Sequence, residues 1–420
     1  VKPIPIFLVL LVLVGLSCGR VTQVTSQPPV PTLPPATEVP ASPLPPPPVP
    51  TEFQPLADEL NAGMGSFEAS LGPPASKSQV ILATELAFAN GNLGEGLLNP
   101  LTLPRSLTLL DRLQALGFQG VVVQICYPLL DPTYPRSSEY LQFYKGIVAA
   151  VHQHGMKVLV ESGAMFANTA YSPTRIDWSR YTADSFLQGR ENQVLLIASQ
   201  IKPDYLMIGN EPTTEEMLTG LKISPAQWGG FLQDTLAKID RSGGTLVGAG
   251  AGTWEDPAYF NQVMQTPGFD FIDLHIYPMG RNATLLARAL SEAQEARAAG
   301  KRVTVSEAWL YKAAPQEGST AYGNYAQIYN RDVYSFWEPL DARFIQDLVR
   351  LADATHMDFL SFFWGRYFFA YLDYDTTPHD QSSEAFNSQI NQASLAGVEN
   401  GSLSSLGQWL QGFLHMRLGP

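Results

Sequence analysis

The sequence predicts an α/β chain closed into a (β/α)8 barrel, a TIM barrel, preceded by a disordered Pro-rich stalk. From about residue 77 to residue 420, eight short apolar runs alternate with longer amphipathic ones. The short runs are almost continuously hydrophobic, as the strands of a parallel sheet covered on its outer face are, and eight such units favour closure over an open sheet. From Val21 to about Pro55, by contrast, Pro, Thr, Val and Ser dominate with almost no charge, including Pro45-Pro46-Pro47-Pro48. That composition cannot bury a core and favours extended polyproline conformations.

At the N-terminal end, Lys2 and the uncharged apolar run from Ile4 to Leu16 have the pattern of a signal-peptide core. The run is shorter than the roughly 20 residues of a membrane span. Gly15-Leu16-Ser17-Cys18-Gly19 then resembles the bacterial lipoprotein signal. The resemblance implies lipidation of Cys18 and an extracytoplasmic, membrane-anchored protein, the alternative being a secreted one. The chain thus divides into a signal over 1–18, a Pro-rich linker over 19–76 and a barrel over 77–420. Cys126 is the other cysteine, so no intrachain disulfide is left to the mature protein, and it reads as a small core or pocket-wall residue.

Strands are expected at Val80–Glu85, Gly120–Tyr127, Lys157–Glu161, Tyr205–Asn210, Thr245–Gly250, Phe271–Tyr277, Val303–Glu307 and Phe359–Trp364. Amphipathic helices are expected between them at Ser106–Leu116, Glu139–His154, Asp184–Ile201, Ala226–Arg241, Leu285–Ala299 and Asp341–Ala354. Leu403–Leu414 closes the chain. The net charge of −13 argues against a nucleic-acid partner, which selects a basic face. Aromatic residues make up 11% of the chain, with seven Trp, which supplies flat faces for stacking sugar rings.

Two acidic motifs carry the chemistry. Ile208-Gly209-Asn210-Glu211-Pro212 closes the fourth apolar run and Val305-Ser306-Glu307-Ala308-Trp309 the seventh. The glutamates stand 96 residues apart, which is three βα units at roughly 30 residues each, so both project from one rim. Barrel active sites occupy the C-terminal rim, and a carboxyl pair there suits cleavage of a glycosidic bond by attack and protonation. In the sixth strand Asp273, His275 and Tyr277 alternate onto one face, lining the barrel axis with polar groups, and Tyr277 is placed to donate to a carboxylate.

Asn210-Glu211-Pro212, Glu307, His275-Ile276-Tyr277 and an aromatic-rich eighth strand ending at Trp364 together resemble clan A of the glycoside hydrolases. The resemblance implies a retaining enzyme acting on a carbohydrate substrate, expected to make an internal cut in a β-glycan, by a monomer without metal or other cofactor. It implies Glu211 as acid/base, Glu307 as nucleophile and Asn210 as donor to the 2-hydroxyl of the sugar being cleaved. Tyr277 would hydrogen-bond the nucleophile and Trp364 would floor the same subsite, with His275 and Trp309 also in the substrate-binding set. Many members of the clan carry an arginine near the end of strand two and a histidine after strand three. Here those places read Val123-Gln124-Ile125-Cys126-Tyr127 and Val160-Glu161-Ser162-Gly163. Glu85, Glu161 and Tyr127, toward the ends of the first three strands, are expected to meet sugar hydroxyls, the alternative for the acids being rim salt bridges. Two other readings stay open: a non-catalytic carbohydrate-binding barrel, and a surface structural or adhesion protein.

The connection from Leu310 to Pro339 is long and carries Tyr311, Tyr322, Tyr325, Tyr329, Tyr334, Phe336 and Trp337. It reads as a cleft wall with stacking platforms or, in part, as a satellite core. Trp254 and Phe166 are placed to extend the groove. His152-Gln153-His154 has metal-like spacing only on paper, since helix residues two apart face different ways. No nucleotide-binding glycine fingerprint and no Gly-x-Ser-x-Gly occurs.

Overall fold

The computed structural model describes residues 47–73, 75–169, 172–317 and 321–418, with the side chains of 321–326 left out. The expected signal over 1–18, Cys18 and most of the Pro-rich stretch lie outside the described residues. No helix among the described residues is long and apolar enough to cross a membrane.

Eight parallel strands close into a barrel in sequence order. They are β1 Ile81–Glu85, β2 Gly120–Tyr127, β3 Lys157–Ala164, β4 Tyr205–Met207, β5 Leu246–Gly252, β6 Phe271–Ile276, β7 Arg302–Ala308 and β8 Phe359–Phe362. The eight expected strands are all present. Glu211 and Trp364 stand just past the paired ends of β4 and β8, whereas Glu161 lies within β3, which runs on to Ala164. The helices are α1 Gln54–Leu71, α2 Thr102–Leu116, α3 Ser137–Gln153, α4 Ala183–Leu196, α5 Pro212–Thr219 and α6 Pro225–Lys238. They continue with α7 Pro257–Gln265, α8 Asn282–Ala298, α9 Ala321–Asp332, α10 Glu338–Thr355, α11 Ser383–Asn400 and α12 Ser405–Leu418.

The linker expected over 19–76 is corrected at α1. A proline in the first turn is compatible with helix, and Ala57, Leu60, Met64 and Phe67 fall on one buried face. That face packs against α8 and α10, and Glu68 pairs with Arg343 of α10 at 2.6 Å. Periodicity overrides composition here because the prolines stop where the apolar repeat begins. The C-terminal end also differs from expectation, with α11 preceding the anticipated closing helix, now α12.

Inside the barrel, Ala83, Val122, Leu159, Tyr205, Met207, Phe271 and Phe359 form a separate apolar cluster. The rings of Phe271 and Phe359 lie 5.8 and 5.5 Å from Tyr205 and plug the interior. Gly248 on β5 makes room for this plug, since a Cβ there would stand 2.4 Å from the Phe271 ring. Polar residues occupy the next positions along β6 and β7. Ser306 donates to Asp273 at 2.6 Å, and Thr304 donates to the other oxygen of the same carboxyl. The outer core lies between strands and helices.

A bulge in the β6–β7 ladder decides where the second glutamate points. Asp273 pairs with Thr304, but His275 pairs with Glu307, so β7 carries one extra residue between them. Strict alternation from the inward Thr304 would turn Ser306 in and Glu307 out. The extra residue re-aims the strand, and both Ser306 and Glu307 reach the axis.

Candidate active site

A cavity of about 950 Å³ opens at the C-terminal mouth of the barrel, and Glu85, Glu161, Asn210, Glu211, Tyr277 and Glu307 are among its walls. Glu211 occupies the position before the first turn of α5, four residues past the end of β4, and its side chain is left free of any capping bond. Local packing fixes that turn. Gly209 is required because a Cβ there would stand 2.4 Å from the Trp228 indole. Thr213 of α5 is anchored by Glu255, whose carboxylate accepts its backbone N–H at 2.9 Å and its hydroxyl at 2.8 Å. Glu215 of α5 pairs with the buried Arg190 of α4.

His275 joins the two glutamates from below. Its Nδ1 lies 2.6 Å from Glu211 Oε1 and 3.4 Å from Glu307 Oε2. The separation of those oxygens therefore cannot exceed the sum of the two distances. On the other side, Nε2 meets Ser306 Oγ at 2.9 Å and Asn210 Nδ2 at 3.0 Å. Asn210 Oδ1 accepts the backbone N–H of Glu211 at 2.8 Å.

Glu307 is held by two donors. Tyr277 donates its phenol proton to Oε2 at 2.7 Å, and the Gln124 amide donates to Oε1. The same amide nitrogen donates to Glu161 Oε2 at 3.0 Å. Asn90 extends the chain of bonds, donating to Gln124 Oε1 at 2.5 Å and to Glu85 Oε1 at 2.6 Å. The Tyr277 ring stacks on Tyr311 with centroids 5.1 Å apart, and Trp364 donates its indole N–H to the Tyr311 hydroxyl at 3.1 Å.

Burial sets the electrostatics. It pushes the Glu307 carboxyl well above the ordinary range, reinforced by the negative charge of Glu161 and partly offset by His275. Burial alone would lower His275, but Glu307 and the hydrogen-bonded Glu211 outweigh it and hold the imidazole protonated well above its usual range. Burial raises Asp273 and Glu85 each to about 7. The Cys126 thiol is pushed far up by burial and then by Glu161, so it stays protonated in the cavity wall, as its apolar setting suggested. Glu161, His275 and Glu307 bring one potential ligand atom each within 4.8 Å of one another, close enough to surround a small cation.

No protein-family model matches the chain, and no curated protein matches it. Among solved structures it is similar to GH5_18 from Bifidobacterium longum subsp. longum ATCC 55813, with a TM-score of 0.53 and 12% identity over 82% of this chain and 80% of that one. It is also similar to a GH5_18 from Bifidobacterium longum subsp. infantis, with a TM-score of 0.51 and 15% identity over 81% and 79% of the two chains. A variant of the first, in complex with Manb1-4GlcNAc, gives a TM-score of 0.51 and 12% identity over 80% and 78%. The chain has the fold of the clan A glycoside hydrolases.

The structure brings Glu85, Glu161, Asn210, Glu211, Tyr277, Glu307 and Trp364 to the cavity, together with Trp254 and Phe166. Three of the expected substrate contacts lie elsewhere. His275 is fully buried beneath the glutamates and orients them without facing the cavity. Tyr127 is buried against Tyr181 and Phe186, with its hydroxyl 3.3 Å from Asp131. Trp309 is buried too and stacks on Tyr367 at 5.3 Å, since β7 ends at Ala308 and strand alternation no longer fixes its side, leaving it in the outer core. In the long connection, Tyr311 and Tyr329 face the cavity, while Tyr334 and Phe336 stack on each other in a satellite cluster with Phe53. The side chains of Tyr322 and Tyr325 lie outside the described ones. His152 and His154 diverge to Asp204 and Asp111.

Sequence reasoning gave no role to Asn90, or to the wall that α11 builds with Asn387, Asn391 and Gln392. The one usable signal was Asn387 and Asn391, one turn apart on a helix face.

Proposed function

We propose that the chain is a retaining glycoside hydrolase that cuts within a β-glycan, with Glu211 as acid/base and Glu307 as nucleophile. One observation carries the reading: both carboxyls converge on Nδ1 of His275 at the mouth of the barrel. The limit this sets on the separation of those two oxygens falls below the roughly 6.5 Å at which inverting pairs begin, and is compatible with the roughly 5 to 5.5 Å of retaining ones. In the first step Glu307, as its carboxylate, attacks the anomeric carbon while Glu211 gives its proton to the departing glycosidic oxygen. In the second, Glu211 takes a proton from water, which attacks the same carbon and frees Glu307. Protonated His275 donates from Nδ1 to Glu211 and so fixes one of its oxygens. Tyr277 and Gln124 steady the Glu307 carboxylate. Trp254 and Trp364 supply stacking faces in a cavity larger than one pyranose ring. The Manb1-4GlcNAc bound by a similarly folded protein supports a β-linked ligand.

Two substitutions test the assignment on an aryl β-glycoside. Glu307→Ala abolishes turnover, and azide restores it with an adduct of inverted configuration. Glu211→Ala still forms the covalent intermediate from an activated leaving group and stalls until azide releases a product of retained configuration. Swapped stereochemistry reverses the roles; undiminished hydrolysis in both variants places the chemistry elsewhere. Glycan binding without release by the unsubstituted chain would instead select a non-catalytic binder, a reading favoured by Gln124 standing where many clan members have arginine. For location, we propose lipid anchoring through Cys18. Detergent-phase partitioning that is lost in Cys18→Ser supports it, and unchanged membrane association opposes it.

A further inference from the structure

The double displacement leaves the Glu161 carboxylate of the site without a task. Glu161 is 2% exposed and forms part of the cavity wall. Its Oε2 accepts from Gln124, but Oε1 is buried and receives no hydrogen bond from any donor among the described residues. The nearest base, His275 Nε2, is 3.7 Å away and already meets Ser306 and Asn210. That single imidazole faces four carboxyls, at 2.6 Å from Glu211, 3.4 Å from Asp273, 3.4 Å from Glu307 and 3.7 Å from Glu161. With Glu211 serving as the proton donor and burial keeping Asp273 protonated up to about 7, the Glu307 and Glu161 carboxylates still outnumber the one imidazolium. The other cation at the cavity, Arg366, lies over Trp364 at 4.1 Å, donates to Asn387 and Asn391, and acts electrostatically on Glu85. Between Glu307 and Glu161 stands the neutral amide of Gln124, which donates to both through one nitrogen.

We propose that the ligand itself supplies the missing positive charge: the sugar held over Glu307 is a 2-amino-2-deoxy sugar with a free ammonium group, and Glu161 Oε1 receives that ammonium. This rests on the glycosidase reading of the pocket. The position follows from adjacency: Glu307 addresses C1, Asn210 is the residue implied at the C2 substituent, and Glu161 shares the His275 Nε2 atom with Asn210 and the Gln124 amide with Glu307. A hydroxyl would fill one acceptor and leave the charge. An N-acetyl group would add bulk and bring only a neutral N–H. A metal ion on Glu161, His275 and Glu307 would need a deprotonated imidazole, whereas Glu307 and Glu211 hold His275 protonated, and it would occupy the attacking carboxylate. An ammonium has three donors, suits carboxylate acceptors and leaves with the product.

The test is calorimetry in a Glu211→Gln background, which keeps the ligand intact, at moderate salt so that the chain's net charge of −13 does not by itself hold a polycation. The ligands are fully deacetylated chitotetraose, cellotetraose and N-acetylated chitotetraose. The amine form should bind at least about tenfold more tightly than either neutral form, and adding Glu161→Gln should bring all three within about twofold. Equal affinities in the Glu211→Gln parent overturn the proposal whatever the second variant does. So does a preference that survives Glu161→Gln, or tight EDTA-reversible Zn²⁺ binding in its place. Hydrolysis by the unsubstituted chain is scored separately. Cleavage of cellotetraose with no amine preference defeats this proposal alone, whereas amine preference without cleavage of any sugar defeats the glycosidase reading alone.

Discussion

Tyr277→Phe removes one atom from the site and leaves the ring. The phenyl group can keep its stack on Tyr311 at 5.1 Å and its edge contact with Phe363 at 5.9 Å, so the wall of the cavity stays in place. What is lost is a 2.7 Å phenol-to-carboxylate hydrogen bond on Glu307, buried on both sides. A hydrogen bond to a charged group contributes about 1.5–3 kcal/mol. If Glu307 attacks as its carboxylate, kcat/KM falls by roughly ten- to hundredfold. The acid side of the pH profile moves as well. Tyr277 favours the ionised carboxyl, so its loss pushes an already raised Glu307 higher, and activity appears only at higher pH. The assay is kcat/KM against pH on any aryl β-glycoside that the unsubstituted chain cleaves. A loss under about twofold with an unmoved acid limb would refute both the role of Tyr277 and the ionisation assigned to Glu307.

Asp273 gives a stability prediction. Burial holds its carboxyl at about 7 against an ordinary 3.8, so the folded state keeps a proton that the unfolded chain releases in between. Its contribution to stability therefore falls as pH rises through that window, by about 1.4 kcal/mol per pH unit. Asp273→Asn should flatten that slope in urea unfolding, and parallel profiles for the two proteins would show that the buried carboxyl does not titrate as described. Leu60, fully buried on α1, tests the N-terminal extension of the domain. Leu60→Ala should cost about 2–5 kcal/mol in the same assay, and a loss below about 1 kcal/mol would make α1 dispensable.

The barrel was legible because its signal is local and repeated. Each strand is a short apolar run such as Gly120–Tyr127 or Phe271–Ile276, bounded by helical periodicity, and eight repeats of one rhythm leave little freedom in topology. The two glutamates were legible for the same reason, since Glu211 and Glu307 close their runs at the pitch of the fold. Composition misled at the N-terminal side, where the prolines concealed the repeat of Ala57, Leu60, Met64 and Phe67. Trp309 and Tyr127 misled in another way: an aromatic near a motif carries no mark of which side of the strand it takes.

The sequence by itself therefore determined the architecture, the rim and the identity of the paired acids, because these depend on period and order along the chain. The tertiary structure alone decided which of the neighbouring side chains meet. The extra residue in β7 turns Glu307 inward beside Ser306, and His275, 32 residues earlier, gathers Glu211 and Glu307 around one nitrogen. Gln124 and Glu161, on adjacent strands, then become partners of a residue on β7. Such contacts join strands across the width of a barrel, and a one-residue shift in register reverses which side chains face its axis. No pattern read along a single segment records that shift.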